Sequence, residues 1–265
     1  MAQIPQKVEA RLTAGLKRFQ PILRDAKTRD IGESDTVTII SDILSYVFGY
    51  EKYSEITSEH AVKSTYCDLA IKLDGALKIL IEAKAIGLEL KDTHVKQAID
   101  YAANQGVDWV ALTNGIIWRI YRVHFTKPID QELVAEFDLT AMSPKSADDL
   151  WLMFLCCKEG WAKSALGDYH EQRQALSRFF VASFVLSEPV VSVIRRQIRK
   201  MCPDVKITVE AITAVLENEV LKRDVVEGEK ATDARKKVAR FLAKEERAKE
   251  KADDAEPSPA SSSGP

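Results

Sequence analysis

The chain has 265 residues, 46% hydrophobic and 29% charged, which is enough for one α/β core plus a smaller second unit. Its net charge of −2 excludes a global electrostatic pull on nucleic acid, so any such contact must come from local patches. No long apolar run exists to cross a membrane, Met1 to Arg11 lacks an apolar signal core, and Cys67, Cys156, Cys157 and Cys202 show no paired spacing, so a cytoplasmic chain with reduced thiols and no zinc site is expected.

In chain order, Leu12, Leu16, Phe19 and Leu23 place a first amphipathic helix over residues 8–27. The first thirty residues of the chain lean basic, with Lys7, Arg11, Lys17, Arg18, Arg24, Lys27 and Arg29 against Glu9, Asp25 and Asp30. Gly32 breaks it. A second helix follows, with Ile39, Ile40, Ile43, Leu44, Val47 and Phe48 on one face and Gly49 at its end. A strand is expected at 53–59, then a hairpin of strands 66–73 and 77–85 around Asp74-Gly75. Thr93 can cap a helix that Gly106 closes, and strands 109–113 and 116–123 flank Asn114-Gly115. Residues 133–139 alternate weakly, as an edge strand does.

After Pro144 the pattern is helical, at 150–155, 174–186, 190–201 and 209–222. Charges of both signs dominate from Glu229, and the end of the chain is rich in Pro, Ser and Gly. The expected organisation is an α/β domain at 1–142, a helical module at 147–228 and a charged, largely disordered tail at 229–265.

Chemistry concentrates in the hairpin. Leu69, Ile71 and Leu73 share one face of the first strand; Leu77, Ile79, Ile81 and Ala83 share one face of the second. Pairing apolar with apolar sets Leu73 opposite Leu77, Ile71 opposite Ile79 and Leu69 opposite Ile81, with a loop of Asp74, Gly75 and Ala76. Asp68 then faces Glu82 across the pair, with Cβ atoms about 5 Å apart. Two carboxylates so placed repel unless a cation lies between them, and hard oxygen ligands suit magnesium or manganese. Lys84, two residues on and on the same face, can orient or help deprotonate a water, or stabilise charge on a phosphoryl group. Acid-x-Lys triplets also occur at Asp25, Glu89 and Asp204, but none of these follows a carboxylate strand through a turn. Charges on a half-exposed sheet face are the bland alternative. Against it, Glu82-Ala83-Lys84 lies in a nearly continuous apolar run, as in a strand buried on both faces.

Cys67-Asp68, Glu82-Ala83-Lys84, Gln97-Ala98-Ile99-Asp100-Tyr101 and Leu112-Thr113-Asn114-Gly115 together resemble the N-terminal nuclease domain of type I restriction enzyme restriction subunits. That domain is one of the PD-(D/E)XK nucleases, and the resemblance spans about Gly32 to Val123. It implies a restriction-endonuclease-like mixed central sheet flanked by helices and a magnesium site at Asp68, Glu82 and Ala83, with manganese able to substitute. It also implies a catalytic Lys84 and supporting roles for Glu33 and Gln97. The name-giving Pro is Cys67 here, and no Walker-type loop or helicase region follows in these residues, so a relative of the domain and not a full restriction subunit is expected. The implied function is a metal-dependent DNA endonuclease of restriction or phage defence, as a homodimer or with partner subunits. The alternatives are a catalytically silent nucleic-acid-binding or regulatory protein and an assembly protein keeping the fold. Glu33 equally suits a helix N-terminus, Gln97 and Tyr101 share a helical face, and Asn114-Gly115 reads as turn chemistry. Arg195, Arg196, Arg199 and Lys200 form the densest basic cluster of the folded region, open to phosphate contact or to plain solvation.

Overall fold

A computed structural model describes residues 3–62, 65–125 and 128–253. The periodic apolar positions of the N-terminal region become α1 (Gln6–Thr28) and α2 (Glu33–Tyr46), burying Leu12, Leu16 and Leu23 on one and Ile40, Ile43 and Leu44 on the other. The sheet follows as β1 (Ile56–Val62), β2 (Thr65–Leu73) and β3 (Ala76–Ala83). Next come α3 (Asp92–Gln105), β4 (Trp109–Thr113), β5 (Ile117–His124) and β6 (Asp130–Asp138). The six strands lie in chain order in one sheet. All neighbours are antiparallel except β3 and β4, which run parallel because α3 carries the chain back between them. β6 takes the edge, as its weak alternation suggested.

Both faces of the central strands are buried. Ala70, Leu80, Val110 and Leu112 pack with Val95, Ala98, Ile99 and Ala102 of α3. Ile71, Ile79, Ile81, Ala111 and Ile120 face the side where Leu44, Phe48 and Trp118 gather. The α/β class with a mixed sheet between helices is therefore established, and the apolar run of β3 has the cause assigned to it.

The hairpin register holds where it matters and differs near the turn. Leu69 pairs with Ile81 and Ile71 with Ile79, but Leu73 pairs with Ala76 and Lys72 with Leu77. Asp74 and Gly75 have φ of 52° and 75°, so the turn has two residues, not three. A tight turn and the apolar pairing demand registers one residue apart, and a bulge at Lys78 absorbs the difference. Thr93 is not the cap of α3 either: Lys91 precedes the helix, and the His94 ring nitrogen accepts from its N–H at 3.2 Å.

Beyond the sheet come α4 (Ala147–Leu155), α5 (Lys158–Ala162), α6 (Ala165–Ala175), α7 (Arg178–Val185), α8 (Glu188–Met201) and α9 (Val209–Val215). A π-helical turn (Leu216–Val220), α10 (Arg223–Val226) and α11 (Glu229–Asp253) complete the described chain. The helix expected at 174–186 is broken at Ser177, whose hydroxyl accepts from the Phe180 N–H to start α7. The expectation of a largely disordered tail from 229 is corrected as far as 253. Ala231, Ala234 and Val238 are buried along one face of α11, a stripe too poor in large residues to stand out among the charges. Residues 254–265 lie outside the described set.

The chain divides into two compact units, Met1–Asp168 and Tyr169–Pro265. The division falls later than 142–147 because α4 and α5 belong to the first core: Tyr50 donates to the Cys156 carbonyl, and the Lys158 N–H to that of Phe48. In the second unit Phe184 of α7 meets Phe241 of α11 edge-on at 6.2 Å, and Arg178 pairs with Asp224 at 2.8 Å. No helix among the described residues is long and apolar enough to cross a membrane.

Candidate active site

Glu82 is the next-to-last residue of β3, and Lys84 leaves its end. Parallel pairing with β4 fixes both: Glu82 lies opposite Leu112, and the Lys84 N–H donates to the Thr113 carbonyl at 2.9 Å. Thr113 is itself fully buried. The next residues are held by Asn114, whose amide nitrogen donates to the carbonyls of Ile86 and Leu88. Its side-chain oxygen accepts from the N–H groups of Ile116 and Ile117. Asn114 makes the turn its sequence context announced, and also ties that turn to the segment after Lys84. The second role depends on a contact nearly thirty residues away and left no local signal.

Across the hairpin, the Asp68 carboxylate accepts from the Ala83 N–H at 2.7 Å, which anchors it over the end of β3. Glu82 is only 8% exposed. Burial lifts its carboxyl above the ordinary range; the Lys84 hydrogen bond opposes this, and the negative charges of Asp68 and Glu33 add to it. The Lys84 ammonium donates to Glu82 Oε1 at 2.7 Å and to the Ala83 carbonyl at 2.8 Å. Glu33, the first residue of α2, brings a carboxylate oxygen to 3.7 Å from the same ammonium. Burial alone pushes the ammonium pKa down, but Glu82, Glu33 and Asp68 outweigh it and hold it above its usual value. The structure thus gathers Asp68, Glu82, Ala83, Lys84 and Glu33 at one point, where a negative cluster surrounds one fixed cation.

The remaining sequence candidates fall elsewhere. Gln97 is exposed on α3, the helix covering β2 to β5. Tyr101 points into the α3 core at 2% exposure. Arg195, Arg196, Arg199 and Lys200 all lie on α8, in the second unit. Cys67, at the Pro position of the motif, is buried; its thiol donates to the Ile81 carbonyl at 3.1 Å and is pushed up to about 12, chiefly by burial. It belongs to the core packed against α3 and offers no thiolate.

With this geometry in place, comparison with known proteins adds one finding. Residues 40–135 match the family model of the type I restriction enzyme R protein N terminus. That stretch contains Asp68, Glu82, Lys84 and Gln97, starts after Glu33 and excludes the second unit, so the resemblance carried by the motifs is borne out there. No curated protein and no solved structure matches.

Proposed function

We propose, on the restriction R-protein N-terminal domain at residues 40–135 and on the cluster around Lys84, that this protein is a divalent-metal-dependent nuclease acting on DNA in restriction or phage defence. The observation that carries the reading is the buried Glu82, with the like-charged, half-buried Asp68 near it, beside a lysine that already has oxygen neighbours. As decoration such a cluster is costly, because the Glu82 carboxylate is desolvated next to other negative charges.

The donor set fits magnesium. Asp68, Glu82 and the Ala83 carbonyl supply hard oxygens, and the one nearby thiol is protonated and turned to a backbone carbonyl. Those three groups would hold the ion, and manganese is expected to substitute. Bound there, it supplies Lewis-acid polarisation of the scissile phosphoryl group. Lys84 keeps Glu82 and the Ala83 carbonyl in place and offers a positive charge at the point where negative charge grows on a phosphate oxygen. Glu33 restrains that ammonium from α2. Cutting both strands of a duplex with one such site per chain calls for two copies, so a homodimer on DNA belongs to the same reading; light scattering showing a monomer on and off DNA would remove that part.

Calorimetric titration with Mn²⁺ tests the site. Asp68→Asn removes a ligand and should lose most of the heat of binding. Lys84→Ala removes only a positive neighbour and should retain it. Equal affinity in wild type and Asp68→Asn would dismiss the metal site.

A further inference from the structure

The second unit carries an open groove of about 530 Å³ along α8, lined by Ser192, Arg195, Arg196, Arg199, Lys200 and Pro203. None of its lining residues is acidic. Beside another cavity of the described residues, two cations are already matched. The larger cavity at the end of the sheet where Lys78 and Trp109 lie has Arg122 on Asp108 at 2.9 Å and Lys158 on Glu55 at 2.6 Å. On α8, Arg195 lies near Glu210 of α9, which feels its charge. Arg196, Arg199 and Lys200 are exposed and make no ion pair among the described residues. The apolar side of α8, with Val191 fully buried, fixes which way the cations face. Proximity to the helix C-terminus favours such charges but does not explain why they line a recess.

Spacing narrows the ligand. Arg195 and Arg196 stand one helical turn before Arg199 and Lys200, a rise of about 6 Å. Along one nucleic-acid strand that distance covers about two phosphates, at about 3.4 Å of axis each. A single small anion needs donors converging on one point; a row on the side of a helix suits a chain of anions running past it. We propose that this groove is a contact site for the phosphodiester backbone of nucleic acid, on a different unit from the carboxylate cluster. The choice of nucleic acid as the polyanion rests on the nuclease reading; the unmatched charge does not. Arginine forks on phosphate oxygens give affinity without reading sequence, so the groove would hold substrate of any sequence.

The test uses full-length protein in EDTA, so that no cleavage intervenes, and follows the anisotropy of a labelled duplex across a salt series. Neutralising Arg196, Arg199 and Lys200 to Gln should weaken binding at every sequence. It should lower the slope of log affinity against log salt by about 0.9 per lost contact. Neutralising Lys27, Lys96 and Lys145, exposed cations of the first unit, changes the net charge equally and should leave the slope alone. The charge-keeping Arg196→Lys/Arg199→Lys variant should keep the slope, which separates lost charge from damaged fold. An unchanged slope in the Gln variant overturns the proposal, as does inorganic phosphate competing as well as oligonucleotide. The two readings fail separately. Groove-dependent binding without metal-dependent cutting sinks only the nuclease; cutting and binding unaffected by the Gln variant sinks only the groove.

Discussion

Arg11 shows how one side chain can organise a unit. Its guanidinium grips both oxygens of Glu159, at 2.7 and 2.6 Å, and donates to the carbonyls of Val47 and Phe48. It thereby joins α1, the end of α2 and α5. Gly49 makes room for it: its φ is 84°, and a Cβ there would lie 2.6 Å from the guanidinium carbon. In the sequence Arg11 is one of seven basic residues near the N-terminus, and nothing local distinguishes it from the others. Arg11→Ala should cost about 2 kcal/mol in urea unfolding, the worth of charged hydrogen bonds that are partly buried. The pair also has a pH signature. Arg11 holds the Glu159 carboxyl below its ordinary 4.5, so its stabilisation is present above that value and lost as pH falls through the depressed one. Arg11→Ala should flatten the acid side of the stability profile, and an unchanged profile would deny the pair its role. Thiol chemistry gives a second test at this scale. Cys67, Cys156 and Cys157 are buried with their thiols pushed up, chiefly by burial, whereas Cys202 is half-buried. A disulfide reagent at neutral pH should find one fast thiol, Cys202, and reach the others only on unfolding.

At the level of elements, what the sequence revealed was set by alternation, and what it hid was set by distant contacts. The β2–β3 register was legible at Leu69 and Ile71 because apolar residues on both strands admit one pairing. The bulge at Lys78 was not, since it arises from the conflict between that pairing and the two-residue turn. Gly75 takes a positive φ in that turn with open space around it, so Gly75→Ala meets backbone strain but no clash. It should cost about 1 kcal/mol, while Gly32→Ala, with ordinary φ and open space, should cost less; equal losses would contradict the turn assignment. The same logic covers the site. Asp68, Glu82 and Lys84 could be read together because they lie on one hairpin. Joining Glu33 to Lys84 depends on how α2 packs, and Asn114's hold on 86–88 on how β4 meets the loop after β3.

On the scale of the molecule, the two-part organisation was visible as a change of pattern after Pro144, but a change of pattern is not a change of core. Leu150, Met153, Phe154 and Leu155 look like the start of a helical module, yet α4 packs on α1 of the first unit. A fragment of residues 1–168 should therefore unfold cooperatively in urea, whereas one ending at 142 strips the cover from α1 and should not. Cooperative folding of the shorter fragment would contradict this division. Hydrolysis of phosphodiester bonds at the cluster around Lys84 is the function proposed, and a cleavage assay with matched binding tests it most directly. Purified protein is incubated with Mg²⁺ or Mn²⁺ and a panel of DNA and RNA substrates, beside Lys84→Ala with its DNA affinity measured in parallel. Wild type should cut DNA only when metal is present. Lys84→Ala should lose on the order of a hundredfold or more in rate at nearly unchanged affinity, because the ammonium acts on charge that grows in the transition state. Cutting that survives intact in Lys84→Ala, or no cutting by wild type with any metal and substrate, would contradict the proposed function.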